Sequence, residues 1–130
     1  MYMEHTSKIN LSIGQLGEGL AAEYLVSLGY KILGRNIREK FGEIDVLARD
    51  GGGVIHFVEV KTISAGYADF SGMEPEDNLS RAKLQKMKKM ADWYMGSHSE
   101  LTGDYQLDLV AIKIEEKSGE NLMRFYPNIA

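Results

Sequence analysis

The chain has no cysteine among its 130 residues. That excludes a disulfide framework, a thiolate metal site and a cysteine nucleophile. It has three histidines, His5, His56 and His98, too far apart in sequence to show metal-ligand spacing. No apolar run approaches 18 residues and no signal-peptide pattern opens the chain, so a soluble, cytoplasmic protein without membrane contact is expected. Only two prolines occur, Pro75 and Pro127, and neither marks a linker. The length and composition predict one domain over residues 12–130 behind a flexible tail, residues 1–11.

A net charge of −4 argues against a highly basic nucleic-acid coat protein. The charge is unevenly spread, however. From Asn78 to His98 five cations (Arg81, Lys83, Lys86, Lys88, Lys89) stand against Asp92 alone, and from Tyr67 to Asp77 there are four anions and no cation. A local basic helix can meet phosphates although the total is acidic. A solvated helix face is the other reading of such a run.

Apolar residues at Ile13, Leu16, Leu20, Ala21, Tyr24, Leu25 and Leu28 predict a helix, with Ser12 as N-cap and Gly29 as stop. Gly14 and Gly17 lie on or beside its apolar face, where they would permit close approach to a sheet. Glu18 borders that face. Strands are predicted over Tyr30–Arg38, Gly42–Arg49 and Val54–Thr62, a loop over Ser64–Asp77, and a second helix over about Leu79–Gly96. Strands over Tyr105–Ile114 and Leu122–Tyr126 complete the order α-β-β-β-α-β-β, an α/β sandwich.

The turn Asp50-Gly51-Gly52-Gly53 sets a hairpin register in which paired residue numbers sum to 104. Arg49 then faces Ile55, Leu47 faces Phe57, Asp45 faces Glu59 and Glu43 faces Lys61, all on one face. Opposed carboxylates destabilise a sheet, and partial burial raises the cost. A divalent cation resolves the conflict, since Mg²⁺ accepts two carboxylates with waters and phosphate oxygens. An exposed salt-bridged patch made of Glu43, Asp45, Glu59 and Lys61 fits the same spacing. Lys83 lies within the apolar stripe of the second helix, so it either meets an anion or snorkels past the helix end. Asp108 interrupts the apolar run Leu107–Ile112, as a hydrogen-bonded structural carboxylate or as an outer member of the site.

The ordered set Gly14-x-x-Gly17-Glu18-x-x-Ala21, Gly29-Tyr30-x-Ile32-Leu33-x-Arg35-Asn36, Gly42-Glu43-Ile44-Asp45, Phe57-Val58-Glu59-Val60-Lys61-Thr62, Lys83 and Asp108 resembles the bacterial YraN family. That family is similar to archaeal Holliday-junction resolvases and to the restriction-endonuclease-like, PD-(D/E)XK fold. The resemblance implies a three-layer sandwich, a central mixed sheet flanked by helices. It also implies a nuclease using Mg²⁺ or Mn²⁺, with Asp45, Glu59 and Glu18 as metal ligands and Asp45, Glu59, Lys61 and Glu18 as catalytic residues. Lys83, with Lys86 and Arg81, would contact nucleic acid, DNA in the first instance. Glu43 and Asp108 would support the site from outside, Glu43 as partner of Lys61. Where many relatives have arginine after E-V-K-T, this chain has Ile63. A non-catalytic nucleic-acid-binding or protein-interaction module on the same scaffold is the alternative function, and a homodimer with its cleft between subunits is an arrangement resolvases use.

Overall fold

The computed structural model describes residues 12–65, 79–115 and 117–130. The expected N-terminal tail and most of the expected loop after Ser64 lie outside them. The first helix, α1 (Ile13–Ser27), starts at Ser12. The Ser12 hydroxyl accepts from the Gln15 N–H, and the Gln15 side chain accepts from the Ser12 N–H, so two orphan donors of the first turn are satisfied reciprocally. At the other end Gly29 takes φ +92°, its N–H donates to Val26 C=O, and the Tyr30 N–H donates to Leu25 C=O. This is the left-handed stop that glycine makes without steric cost.

Five strands follow the expected order: β1 (Lys31–Glu39), β2 (Gly42–Arg49), β3 (Ile55–Ala65), β4 (Tyr105–Glu115) and β5 (Asn121–Tyr126), with α2 (Arg81–Ser97) between β3 and β4. Strand β3 extends to Ala65, so Ser64 belongs to a strand rather than a loop. Its extra length is supported by β4, which it pairs in parallel from Ile55–Tyr105 to Ala65–Glu115. All other neighbours are antiparallel, and the sheet order is β1-β2-β3-β4-β5. The helices cover opposite faces. Ala21 and Leu25 of α1 pack with Val46, Ala48, Val58, Val110 and Ile112. Met90 and Ala91 of α2 pack with Leu47, Ile55, Phe57 and Leu107. The molecule is therefore an α/β three-layer arrangement around a mixed sheet.

The hairpin register is as the turn arithmetic predicts from Arg49–Ile55 to Val46–Val58. There the β2–β3 ladder ends. Strand β2 continues alongside β1 down to Glu39–Gly42, and β3 continues alongside β4. The sheet thus forks beyond Val46–Val58, and the expected Asp45–Glu59 and Glu43–Lys61 rungs are not formed as ladder pairs. Direct opposition of two carboxylates on a covered face is what such a ladder would have required.

The two helix glycines behave differently. A Cβ at Gly17 would lie 1.9 Å from Thr62 Oγ1 and 2.9 Å from Thr62 Cβ, whereas one at Gly14 would meet only Ser12 Oγ at 3.9 Å. Gly17, not Gly14, is the point of close approach between α1 and β3. We expect Gly17→Ala to destabilise the fold by ~1–3 kcal/mol, because the β-branched Thr62 is stiff and held within a paired strand. Gly14→Ala should be neutral or stabilise by up to ~1 kcal/mol through helix propensity. Urea unfolding of the two variants beside wild type checks this, and equal midpoints for both would refute the assignment.

Candidate functional site

The fork puts Asp45 and Glu59 on its two prongs. Hydrogen-bonded pairs fall at every second step from Asp50, whose N–H donates to Val54 C=O at 3.0 Å. The next such pair after Val46–Val58 would join Ile44 and Val60. Instead the Val60 N–H donates to Asp45 Oδ2 at 2.8 Å. The carboxylate replaces the backbone acceptor that the fork removes, so the strand end is satisfied by a side chain. Asp45 and Glu59 are each only 8% exposed.

On the β1 side, Asn36 would face Asp45 in the local register, but it leaves the ladder and adopts φ +51°. Asparagine tolerates this left-handed conformation better than most residues. The Asn36 side chain serves Glu18: its hydrogen bonding lowers the Glu18 pKa, as does the nearby charge of Arg35. Burial of Glu18, and then the charge of Asp45, outweigh both and raise it. Among the described residues Glu18 Oε1 is buried without a hydrogen-bond partner, and so is Oγ1 of Thr62, the residue that touches Gly17. Glu18 thus has one carboxylate oxygen shut off from solvent and lies within electrostatic reach of Asp45. An open groove of about 690 Å³ lies on this side, lined in part by Gly14, Glu18, Asn36 and Arg38.

From the opposite layer, Lys83 Nζ reaches Glu59 Oε2 at 2.5 Å. This answers why a lysine occupies the apolar stripe of α2: its ammonium meets a buried anion. On the α2 side the space between Asp45 and Glu59 is small, about 10 Å³, and closed by Met87 and Met90. That is about one water's room. Burial first, and the Glu59 charge second, push the Asp45 carboxyl up to about 7, against the Val60 N–H, which lowers it.

The remaining expected residues are placed as follows. Lys61 is exposed on β3, and no ion pair of it is formed among the described residues. Glu43 pairs with Arg38 of β1 at 3.5 Å rather than with Lys61. Arg81 and Lys86 are exposed on α2. Asp108 is fully buried, opposite Val58, on the α1 side of the sheet. It accepts from Gln106 Nε2 and from the Asn128 N–H, both at 2.8 Å, and meets His56 Nδ1 at 2.5 Å. Asp50 takes the other ring nitrogen, Nε2, at 2.9 Å. Its hydrogen-bond partners are thus His56, Gln106 and Asn128, and neither Asp45 nor Glu59 is among them.

His56 and Asn36 are the residues that sequence reasoning missed. His56 sits between Val58 and the hairpin turn on the α1 face, and only the parallel β3–β4 register brings Asp108 beside it. Burial lowers the His56 pKa, but the hydrogen bonds to Asp108 and Asp50 outweigh burial and raise it. Asn36 could have been flagged only as a residue tolerant of positive φ.

As a metal site the donors fit in part. Two buried carboxylates flanking one small space suit Mg²⁺, which keeps several waters and needs only one or two protein carboxylates. Among the described residues no three Asp, Glu or His side chains converge closely enough to enclose an ion, so Glu18 is a neighbour of the pair and not part of a closed cage.

A family model described as uncharacterised protein family UPF0102 matches residues 17–112. The chain belongs to this family, the YraN family. A UPF0102 protein of Campylobacter concisus is 43% identical over 102 residues, covering 78% of this chain and 84% of the relative. A UPF0102 protein of Thermodesulfovibrio yellowstonii is 37% identical over 112 residues, covering 86% and 93%. Among solved structures, that of Pyrococcus furiosus SfsA in complex with Ca²⁺ is similar with a TM-score of 0.36 and 16% identity; the match covers 85% of this chain and 62% of that one. The UPF0102 match runs from Gly17 of α1 to Ile112 within β4 and so includes the fork. No helix among the described residues is long and apolar enough to cross a membrane.

Two pH responses follow. Asp45 is less acidic folded than unfolded, so its contribution is fully present below about pH 4 and is lost as pH rises through about 7. Glu18 is raised and acts in the same direction. In chelator, the wild-type protein should lose on the order of a few kcal/mol between pH 4 and 7.5, and Asp45→Asn should flatten most of that slope. Urea midpoints across this range measure it; a parallel slope in the variant would remove the argument for a strained carboxylate. The raised His56 pKa gives stability that is full below about 6.5 and lost as pH rises through the folded value. We expect His56→Gln to cost about 3–5 kcal/mol by leaving Asp108 as a buried, uncompensated charge, and His56→Gln with Asp108→Asn to recover part of it. A double variant no better than the single one would contradict that origin.

Proposed function

We propose that the protein is a metal-dependent nuclease hydrolysing phosphodiester bonds of nucleic acid, DNA in the first instance. The observation that carries this reading is the buried Asp45–Glu59 pair at the fork, with Asp45 held less acidic than an ordinary carboxylate. Asp45 and Glu59 would hold Mg²⁺ or Mn²⁺, with Glu18 joining directly or through water. When bound, the ion supplies charge neutralisation on the phosphoryl group and acidifies water. Asp45, tied to the Val60 N–H, cannot swing away from β3 without breaking a backbone hydrogen bond. Lys61, exposed beside the pair in sequence, is available to orient water or offset developing charge. Lys83 would exchange Glu59 for a phosphate when substrate arrives, and Lys86 and Arg81 would add nonspecific backbone contacts. The family membership supports the site's motif set and leaves the reaction to experiment.

The Lys83–Glu59 contact favours a second reading, a nucleic-acid-binding or protein-interaction module without turnover, because an ammonium already neutralises one of the two carboxylates. A homodimer that completes the cleft is compatible with either.

Thermal melts with EDTA and with millimolar Mg²⁺ or Mn²⁺ separate the readings. The expected outcome is a metal-induced rise in Tm for wild type, following ligand excess over Kd. Asp45→Asn should be at least as stable as metal-free wild type, with no metal shift and no cleavage of branched, flapped or single-stranded DNA. An equal metal shift in both proteins would sink the site. A wild type that binds metal yet leaves all these substrates intact would favour the non-catalytic module.

A further inference from the structure

The β1–β2 hairpin turns at Lys40-Phe41, immediately before the strand that carries Glu43 and Asp45. Phe41 is 51% exposed. Its ring lies 5.3 Å from that of Trp93 on α2, inclined by 50°, so one side is backed and the remainder faces outward. Lys89 and Lys86 precede Trp93 by four and seven residues, on the same flank of α2 by the helical repeat, and both are exposed. Lys83 lies one further turn back and reaches Glu59. A row of cations therefore leads from the carboxylate pair along α2 to the aromatic pair at the hairpin tip, roughly 15 Å from Lys83 to Trp93. The hairpin tip itself carries Arg38 and Lys40 beside Glu39 and Glu43, with Glu43 engaged by Arg38, and α2 carries Lys86 and Lys89 ahead of Asp92 and Trp93.

Packing on Trp93 does not explain the exposed half of the Phe41 ring. An aromatic face rimmed by cations matches a different chemistry: the ring stacks a base, and the ammonium groups meet the adjoining phosphates. We propose that Phe41, backed by Trp93, is a stacking platform for an unpaired base, with Lys86 and Lys89 carrying phosphates of the strand that runs from it toward Asp45 and Glu59. This rests on the nucleic-acid reading above and narrows its substrate class to single strands, flaps and splayed ends. A base inside a duplex offers protein its edges in the grooves, and its flat face becomes available only when it is unstacked.

Trp93 is the only tryptophan, so its fluorescence reports on this place alone. The test titrates the full chain, in EDTA so that nothing is cleaved, with a single-stranded oligonucleotide, a flapped duplex and a blunt duplex. Expected are a change in Trp93 emission with the first two, tighter binding of them than of the blunt duplex, and weakening by salt. Phe41→Leu keeps an apolar contact to Trp93 but removes the ring. It should lose roughly 5- to 100-fold in single-strand affinity and keep its blunt-duplex affinity, with an unchanged melting temperature. Lys86→Gln with Lys89→Gln should lower the salt dependence. Wild-type affinity in Phe41→Leu, binding without any change in Trp93 emission, or no nucleic-acid binding at all would each overturn the platform. Binding as predicted by a protein that never cleaves would leave the platform standing and defeat the nuclease reading alone.

Discussion

One hydrogen bond organises the centre of this molecule: the Val60 N–H donates to the Asp45 carboxylate where β2 and β3 part. A sheet that forks must strand backbone donors at the split, and a buried donor left unpaired costs on the order of 1–3 kcal/mol. Asp45 supplies the acceptor and in doing so becomes buried beside Glu59. The fold needs an acceptor at this point, and the acceptor it has is a second carboxylate next to a first. The raised Asp45 pKa and the reach of Lys83 to Glu59 follow from that choice. A neutral asparagine could accept the same bond without the repulsion.

Two ionic clusters stand on this sheet, and they are built differently. Asp50, His56 and Asp108 alternate in charge, each ring nitrogen has its carboxylate, and Asp108 also takes hydrogen bonds from Gln106 and the Asn128 backbone. That cluster ties the hairpin turn, β4 and the C-terminal segment together. Around Asp45 the charges of Glu59 and Glu43 raise its pKa, Asp45 in turn raises that of Glu18, and buried oxygens of Glu18 and Thr62 lack hydrogen-bond partners among the described residues. The satisfied cluster reads as architecture. The other keeps like charges together and leaves two buried oxygens unpartnered among the described residues.

Much of the framework was legible because local chemistry governs it. Ser12 and Gly29 bracket α1, and the Asp50–Gly53 turn dictates a register that alternation confirms down to Val46–Val58. The proximity of Asp45 and Glu59 followed from that arithmetic. The fork did not, since period-two reasoning continues a ladder until a residue stops it and contains no term for like-charge repulsion. His56 with Asp108 was hidden for another reason. Their meeting depends on a parallel pairing across more than forty residues, and nothing local encodes that register. Lys83 was legible as a misfit in an apolar stripe, although its anion turned out to be Glu59. Glu43 was assigned to Lys61 on the assumption of a continued ladder; with the prongs apart it pairs across β1 instead.

The contact of Gly17 with Thr62 has a geometric meaning for the residue that follows it. A helix that slips by one residue advances about 1.5 Å and turns about 100°. Such a slip would carry the Glu18 side chain off its present bearing altogether. Any residue but glycine at the contact would also drive the helix outward by the width of a methyl group. Gly17 seated on Thr62 therefore acts as a register stop between layers. It fixes where along β3 the helix rests, and through the next peptide it fixes the heading of Glu18. Because Thr62 is only three residues from Glu59 along the same strand, about 10 Å, carboxylates from two different layers are indexed to one short piece of backbone.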